Sequence, residues 1–191
     1  MVKEPRPGRV KTRLGREIGH VAAAWWFRHQ VTGLLRRLDD PRWKLVLAVS
    51  PDQAGLHSRA WPGHLPRIPQ GRGDLGARMG RILRGLPPGP ACIIGGDIPG
   101  VRPGHIVRAF AALGRNDAVF GPADDGGFWL VGMKRTAPPP ATLFRSVRWS
   151  SAHALADSID SLPDARIALV DTLRDVDTAA DLPARGHDFR R

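Results

Sequence analysis

The segment GPADDGGF (121–128) carries two carboxylates into a pair of glycines and out into the apolar run 128–133. Glycine leaves backbone uncovered beside the carboxylate oxygens, so a bulky polar ligand can approach closely while a hard cation is held by oxygen. That chemistry suits a site for a metal and a phosphorylated substrate. The same residues also suit a plain hairpin loop, since Asp-Gly is the commonest short hairpin signal. A second segment, ACIIGGDIPG (91–100), is expected to be a buried strand ending at Asp97, closed by Pro99. In open α/β sheets ligands bind beyond the carboxyl ends of the strands, which puts Asp97 where a metal or substrate would sit. The next helix is expected to begin near Pro103, too late for Asp97 to be its cap.

Cations and glycines supply the complementary half. VKEPRPGRVKTRLG (2–15) sets Lys3, Arg6, Arg9, Lys11 and Arg13 around Pro5, Pro7 and Gly8, as a basic loop running into a helix. Polyphosphate needs backbone N–H groups at a helix start and one or two fixed cations, the part Lys11 and Arg13 would play. A disordered basic tail is the competing reading. QGRGDLGARMGRILRGL (70–86) opens on glycines around Arg72 and Asp74, followed by Leu75, Met79, Ile82, Leu83 and Leu86 at helical spacing. Such a loop can wrap a base or ribose, with Arg78 one turn into the helix and near a phosphate; the apolar stripe is core. In RIALVDTLRDVDTAADL (166–182), a strand leads to Asp175 and Asp177. Asp177 or Thr178 can cap the short helix that follows, and Asp177 can instead complete a metal site.

Taken in order, K-x-P-x-P-G-R-V-K-T-R-L, Q-G-x-G-D-L-G-x-R-M, G-G-D-x-P, G-P-A-x-D-G-G-F, the Trp149-Ser150 pair and D-V-D-T resemble the glycosyltransferase-like family of radical-SAM/selenodomain-associated transferases, members of which are linked to arsenosugar biosynthesis. The likeness spans nearly the whole chain. It implies a three-layer, Rossmann-like GT-A fold of the nucleotide-diphospho-sugar transferases, distantly similar to guanylyltransferases of deazaflavin and molybdopterin cofactor synthesis. By motif, the resemblance makes Asp97 the metal aspartate and Lys11, Arg13 and Arg78 phosphate contacts, with Lys3 beside them. Gly71, Gly73 and Asp74 become the nucleotide loop; Asp125, Gly126, Gly127, Phe128 and Trp149 face the acceptor. Phe128 stands where the family has Tyr, which removes a hydroxyl. The family also has an apolar strand ahead of K-x-P, whereas only Val2 precedes Lys3 after the initial Met. The first strand is therefore expected to be missing. A start placed too late accounts for this better than a disabled enzyme, because the other motifs are intact.

The expected activity is metal-dependent glycosyl transfer from a nucleotide sugar to a small-molecule acceptor, with Mg²⁺ or Mn²⁺ on Asp97 and Asp177 and with Asp125 as base if configuration inverts. The alternative is nucleotidyl transfer, in which the same cations serve attack on a nucleoside triphosphate and pyrophosphate is released. A non-catalytic nucleotide-binding module is the third possibility.

Elements that must position these residues alternate along the chain. Helices are expected over 10–38, 52–60, 74–85, 103–113 and 150–161, with a short one after 177; strands are expected at 44–50, 65–69, 91–96, 117–121, 127–133 and 166–170. Alternation of this kind implies an α/β fold with a mostly parallel mixed sheet, to which 117–121 and 127–133 add an antiparallel pair. At 191 residues and 42% hydrophobic, one domain over 1–191 is expected. The net charge of +11 invites a nucleic-acid reading. Arginines scattered through every segment, without exposed aromatics or a recognition motif, argue against a specific nucleic-acid partner, while a positive field still attracts nucleotides. No membrane span or signal peptide is expected, the single Cys92 excludes an internal disulfide, and a cytoplasmic setting follows. The seven histidines, His187 included, show no metal-ligand spacing.

Overall fold

The computed structural model describes residues 1–182, so His187 lies outside the described residues. Seven strands are present there: β1 (Val2–Lys3), β2 (Leu47–Ser50), β3 (Arg67–Pro69), β4 (Ala91–Ile94), β5 (Ala118–Pro122), β6 (Phe128–Met133) and β7 (Ile167–Leu169). Between them run α1 (Thr12–Ile18), α2 (His20–Leu38), α3 (Asp52–Leu56), α4 (Leu75–Gly85), α5 (Pro103–Leu113) and α6 (Ala154–Asp160); a 3₁₀ turn, Ala179–Asp181, follows β7. One parallel group has the order β1-β2-β3, and a mixed group has the order β4-β6-β5-β7.

The first strand, expected to be missing, is present as two residues. Val2 and Lys3 pair in parallel with Val49 and Ser50, and the Glu4 N–H continues the ladder to the Ser50 carbonyl at 2.7 Å. The Met1 ammonium donates to the Ile94 carbonyl at 2.6 Å, which sets β1 between β2 and β4. That hydrogen bond links the two groups at the backbone, and Ala48 and Ile68 pack with Ile93, Phe120 and Val131 across the seam.

Period-two alternation then sorts the side chains onto two faces. Phe120 and Val131 point into a cluster with Met79, Ile82 and Leu83 of α4 and with Leu155 and Ile159 of α6. Val119 and Leu130 point the other way, against Leu34 and Leu38 of α2 and Ile106, Ala109 and Leu113 of α5. Three layers result, as expected. The antiparallel pair does not lie at an edge, because β6 also pairs antiparallel with β4 and so occupies the interior of its group.

Several boundaries differ from expectation: helix 52–60 ends at Leu56 and strand 44–50 starts at Leu47, and three further differences bear on the site. Helix 10–38 is broken into α1 and α2 at Gly19, whose φ of 91° only glycine adopts cheaply. The strand before Asp97 ends at Ile94, three residues early, and leaves Gly95, Gly96 and Asp97 as a loop over the sheet. Helix 150–161 starts only at Ala154; Ser150, at its expected first position, holds left-handed backbone (φ 59°) that a helix does not accommodate. Burial raises the Cys92 thiol to about 12, leaving it an inert core group. No helix of the described residues is long and apolar enough to cross a membrane.

Candidate functional site

A cleft of about 720 Å³ lies over the carboxyl ends of β1 and β4 and the amino end of the antiparallel β6. Its floor includes Val2, Ile93, Ile94 and Val131, and one wall is the loop between β1 and α1. Val10 and Leu14, both buried, anchor that loop and carry Lys11 inward between them. Lys11 sits at the head of α1 with left-handed backbone (φ 44°, ψ 52°) and a side chain only 6% exposed. Its ammonium lies 2.8 Å from Asp97 Oδ2 and donates to Asp177 Oδ1 at 3.0 Å. Burial pulls the Lys11 pKa down, but the charges of and hydrogen bonds to Asp97 and Asp177 outweigh it, and the net direction is upward. Arg13 donates to the second oxygen of Asp177 at 3.1 Å. Asp177 thus leaves the capping role to Thr178, which heads the 3₁₀ turn.

The glycine-rich loop forms the facing wall. Gln70, buried at 3% exposure, donates through its amide to the Val2 and Ala48 carbonyls at 3.1 and 2.8 Å and so ties the loop to β1 and β2. Arg81 grips the loop from α4 by donating to the Gln70 and Arg72 carbonyls, both at 2.8 Å. Gly73, Asp74, Leu75 and Arg78 line the cleft. The Asp74 carboxylate accepts from the Ala77 N–H at 2.7 Å as the α4 cap, and Arg78 Nε donates to the Gly73 carbonyl at 2.9 Å. Gly71 is not in the wall; its N–H donates to Asp52 Oδ1 at 3.1 Å.

Across the cleft stands the β5–β6 turn. The hairpin reading and the site reading are both realised, for the turn closes through Ala123 N–H to the Gly127 carbonyl at 3.0 Å and still presents Asp125 to the cleft. The Gly127 N–H donates to Asp125 Oδ1 at 2.9 Å and fixes that carboxylate. Gly127, Phe128 and Trp149 line the same end, the two aromatics meeting edge to face at 6.2 Å. Gly126, expected to face an acceptor, instead packs outward: with φ 82°, a Cβ there would lie 2.2 Å from the Ala152 carbonyl oxygen, and its own carbonyl accepts from the Leu155 N–H.

Of the residues expected from motifs, Lys3, Lys11, Arg13, Gly73, Asp74, Arg78, Asp97, Asp125, Gly127, Phe128, Trp149 and Asp177 are gathered on one cleft; Gly71 and Gly126 serve the loops behind it. Asp175 also lines the cleft and was not singled out as a site residue. Burial first, then the charges of Asp177, Asp97 and Asp125 against the opposing Lys11, push its carboxyl up to about 6. Its place two residues before Asp177 was the available signal. Gln70 and Arg81 act through backbone carbonyls, which no residue pattern marks. Among the described residues, no group of three or more His, Cys, Asp or Glu side chains forms a ready metal cage.

A family model described as "Uncharacterized protein conserved in bacteria (DUF2064)" matches residues 34–151. No curated protein matches the chain. Among solved structures it is similar to that of a protein from Desulfovibrio desulfuricans G20 provisionally named a nucleotide-diphospho-sugar transferase, with a TM-score of 0.82 and 30% identity over 93% of this chain and 80% of that one.

Proposed function

The chain belongs to the DUF2064 family, and from that footing we propose that it is a cytoplasmic glycosyltransferase taking a nucleotide-diphospho-sugar donor, Mg²⁺ or Mn²⁺, and a small-molecule acceptor. Its motifs further suggest the radical-SAM/selenodomain-associated branch of such transferases. One observation carries the reading: a single cleft, within the roughly 300–1,000 Å³ usual for ligand sites, joins a cationic loop, a glycine-rich loop and an isolated carboxylate on a tight turn.

Asp97 and Asp177 are the residues that would hold the metal. Mg²⁺ takes one or two protein carboxylates and completes its shell with water and phosphate oxygens, so a two-carboxylate set fits it once a substrate supplies the rest. When bound, the ion contributes neutralisation of charge on the leaving diphosphate. Lys3, Arg9 and Arg78, which among the described residues make no ion pair, bind and orient the phosphates. The α4 N-terminus is already capped by Asp74, so phosphate recognition falls to these side chains and not to the helix end. Asp125 takes the proton of the acceptor hydroxyl as that oxygen bonds the sugar carbon and the carbon–phosphate oxygen bond breaks, releasing nucleoside diphosphate.

Thermal unfolding against UDP, GDP, CDP, dTDP, their sugar-linked forms and the triphosphates, each with and without Mn²⁺, tests the reading. Binding stabilises by RT ln(1 + [L]/Kd), about 2.7 kcal/mol at a hundredfold excess over Kd. A Mn²⁺-dependent shift with one diphosphate family, followed by release of that diphosphate on turnover, is expected. Pyrophosphate release would instead identify nucleotidyl transfer, and no shift with any nucleotide would remove the enzyme reading.

A further inference from the structure

The same two carboxylates that suit a metal already share a cation. Lys11 is buried, its backbone is held in a left-handed conformation unfavourable to a non-glycine residue, and its ammonium touches Asp97 and Asp177 from segments 80 or more positions away. Two cations cannot draw on the same pair of oxygens without repelling each other at contact distance, least of all where water is scarce. The lysine is held at the cleft wall, beside the space a diphosphate would fill. Its four-carbon stem lets the ammonium swing to a new anion without moving the backbone.

We propose that Lys11 is a built-in cation that closes the Asp97–Asp177 pair to a divalent metal until a diphosphate in the cleft draws its ammonium away. Metal and diphosphate then enter together, and metal alone binds poorly. This rests on the reading above that the cleft takes a diphosphate.

Mn²⁺ binding to the nucleotide-free protein, followed by electron paramagnetic resonance, separates this from a merely structural lysine. Lys11→Met is expected to bind Mn²⁺ at least about tenfold more tightly than the wild type, the minimum that loss of one full charge at contact distance implies. Adding Asp97→Asn to Lys11→Met is expected to abolish the gain. Equal Mn²⁺ affinity in wild type and Lys11→Met, or a gain that survives Asp97→Asn, overturns the proposal; nucleotide binding in the thermal panel is unaffected by that result and judges the function separately. Should Lys11→Met fail to fold, the wild type still gives the answer, because the chain has only four lysines and the Lys11 Nζ resonance can be followed singly by NMR. Mg²⁺ alone is expected to leave that resonance in place, and Mg²⁺ with inorganic pyrophosphate to move it. A shift with Mg²⁺ alone overturns the proposal, and no shift with both overturns it together with the functional reading.

Discussion

Among the described residues, the Asp125 carboxylate accepts one hydrogen bond, from the Gly127 N–H, and lines the cleft, an arrangement that suits a proton acceptor. Asp125→Asn keeps the shape and that hydrogen bond while removing basicity. Its kcat is expected to fall by about 10²–10⁴, with the nucleotide Kd within about twofold; steady-state kinetics beside calorimetric titration checks both, and a retained kcat excludes Asp125 as base. At this scale the sequence singled out cleft residues standing beside glycine, as with Asp97 and Asp125, and a cation close after a Pro/Gly-rich stretch, as with Lys11. It was silent on Gln70 and Arg81, whose partners are backbone carbonyls brought near only by the fold. It also left Asp175 unassigned, since the effect of three neighbouring carboxylates arises from spatial proximity and not from spacing.

Among the elements, α4 owes its start to Asp74. Asp74→Ala removes the cap accepted from the Ala77 N–H and is expected to cost about 1 kcal/mol, measured by denaturant unfolding. Because Gly73 precedes that cap and Arg78 lies at the end of the first turn, nucleotide affinity should fall with it. The β5–β6 turn is more demanding. Gly126→Ala forces a side chain into left-handed backbone and against the Ala152 carbonyl, with an expected loss on the order of 1–3 kcal/mol or more. A variant as stable as wild type would show that the turn relaxes. Helix and strand identities were legible from periodicity, but two ends were not. Gly19 lies in a pattern that continues helically on both sides, and only its positive φ reveals the break. The helix expected from 150 begins only at Ala154, after a segment in which Phe144, Ser146 and Ser150 adopt left-handed backbone and Trp149 lines the cleft.

Over the whole molecule, alternation predicted the layers, while the interior place of β6 depended on pairings between distant segments that no local pattern encodes. A consequence follows from Gly126. The turn bearing Asp125 and the segment leading into α6 touch through Gly126 and Ala152, and the Leu155 N–H is bonded to the Gly126 carbonyl. Evolution then cannot tune the two sides of this end of the cleft one at a time. Descendants that come to accept a different molecule there should carry paired changes at 124–127 and 149–155, and lineages altered on one side alone should be rare.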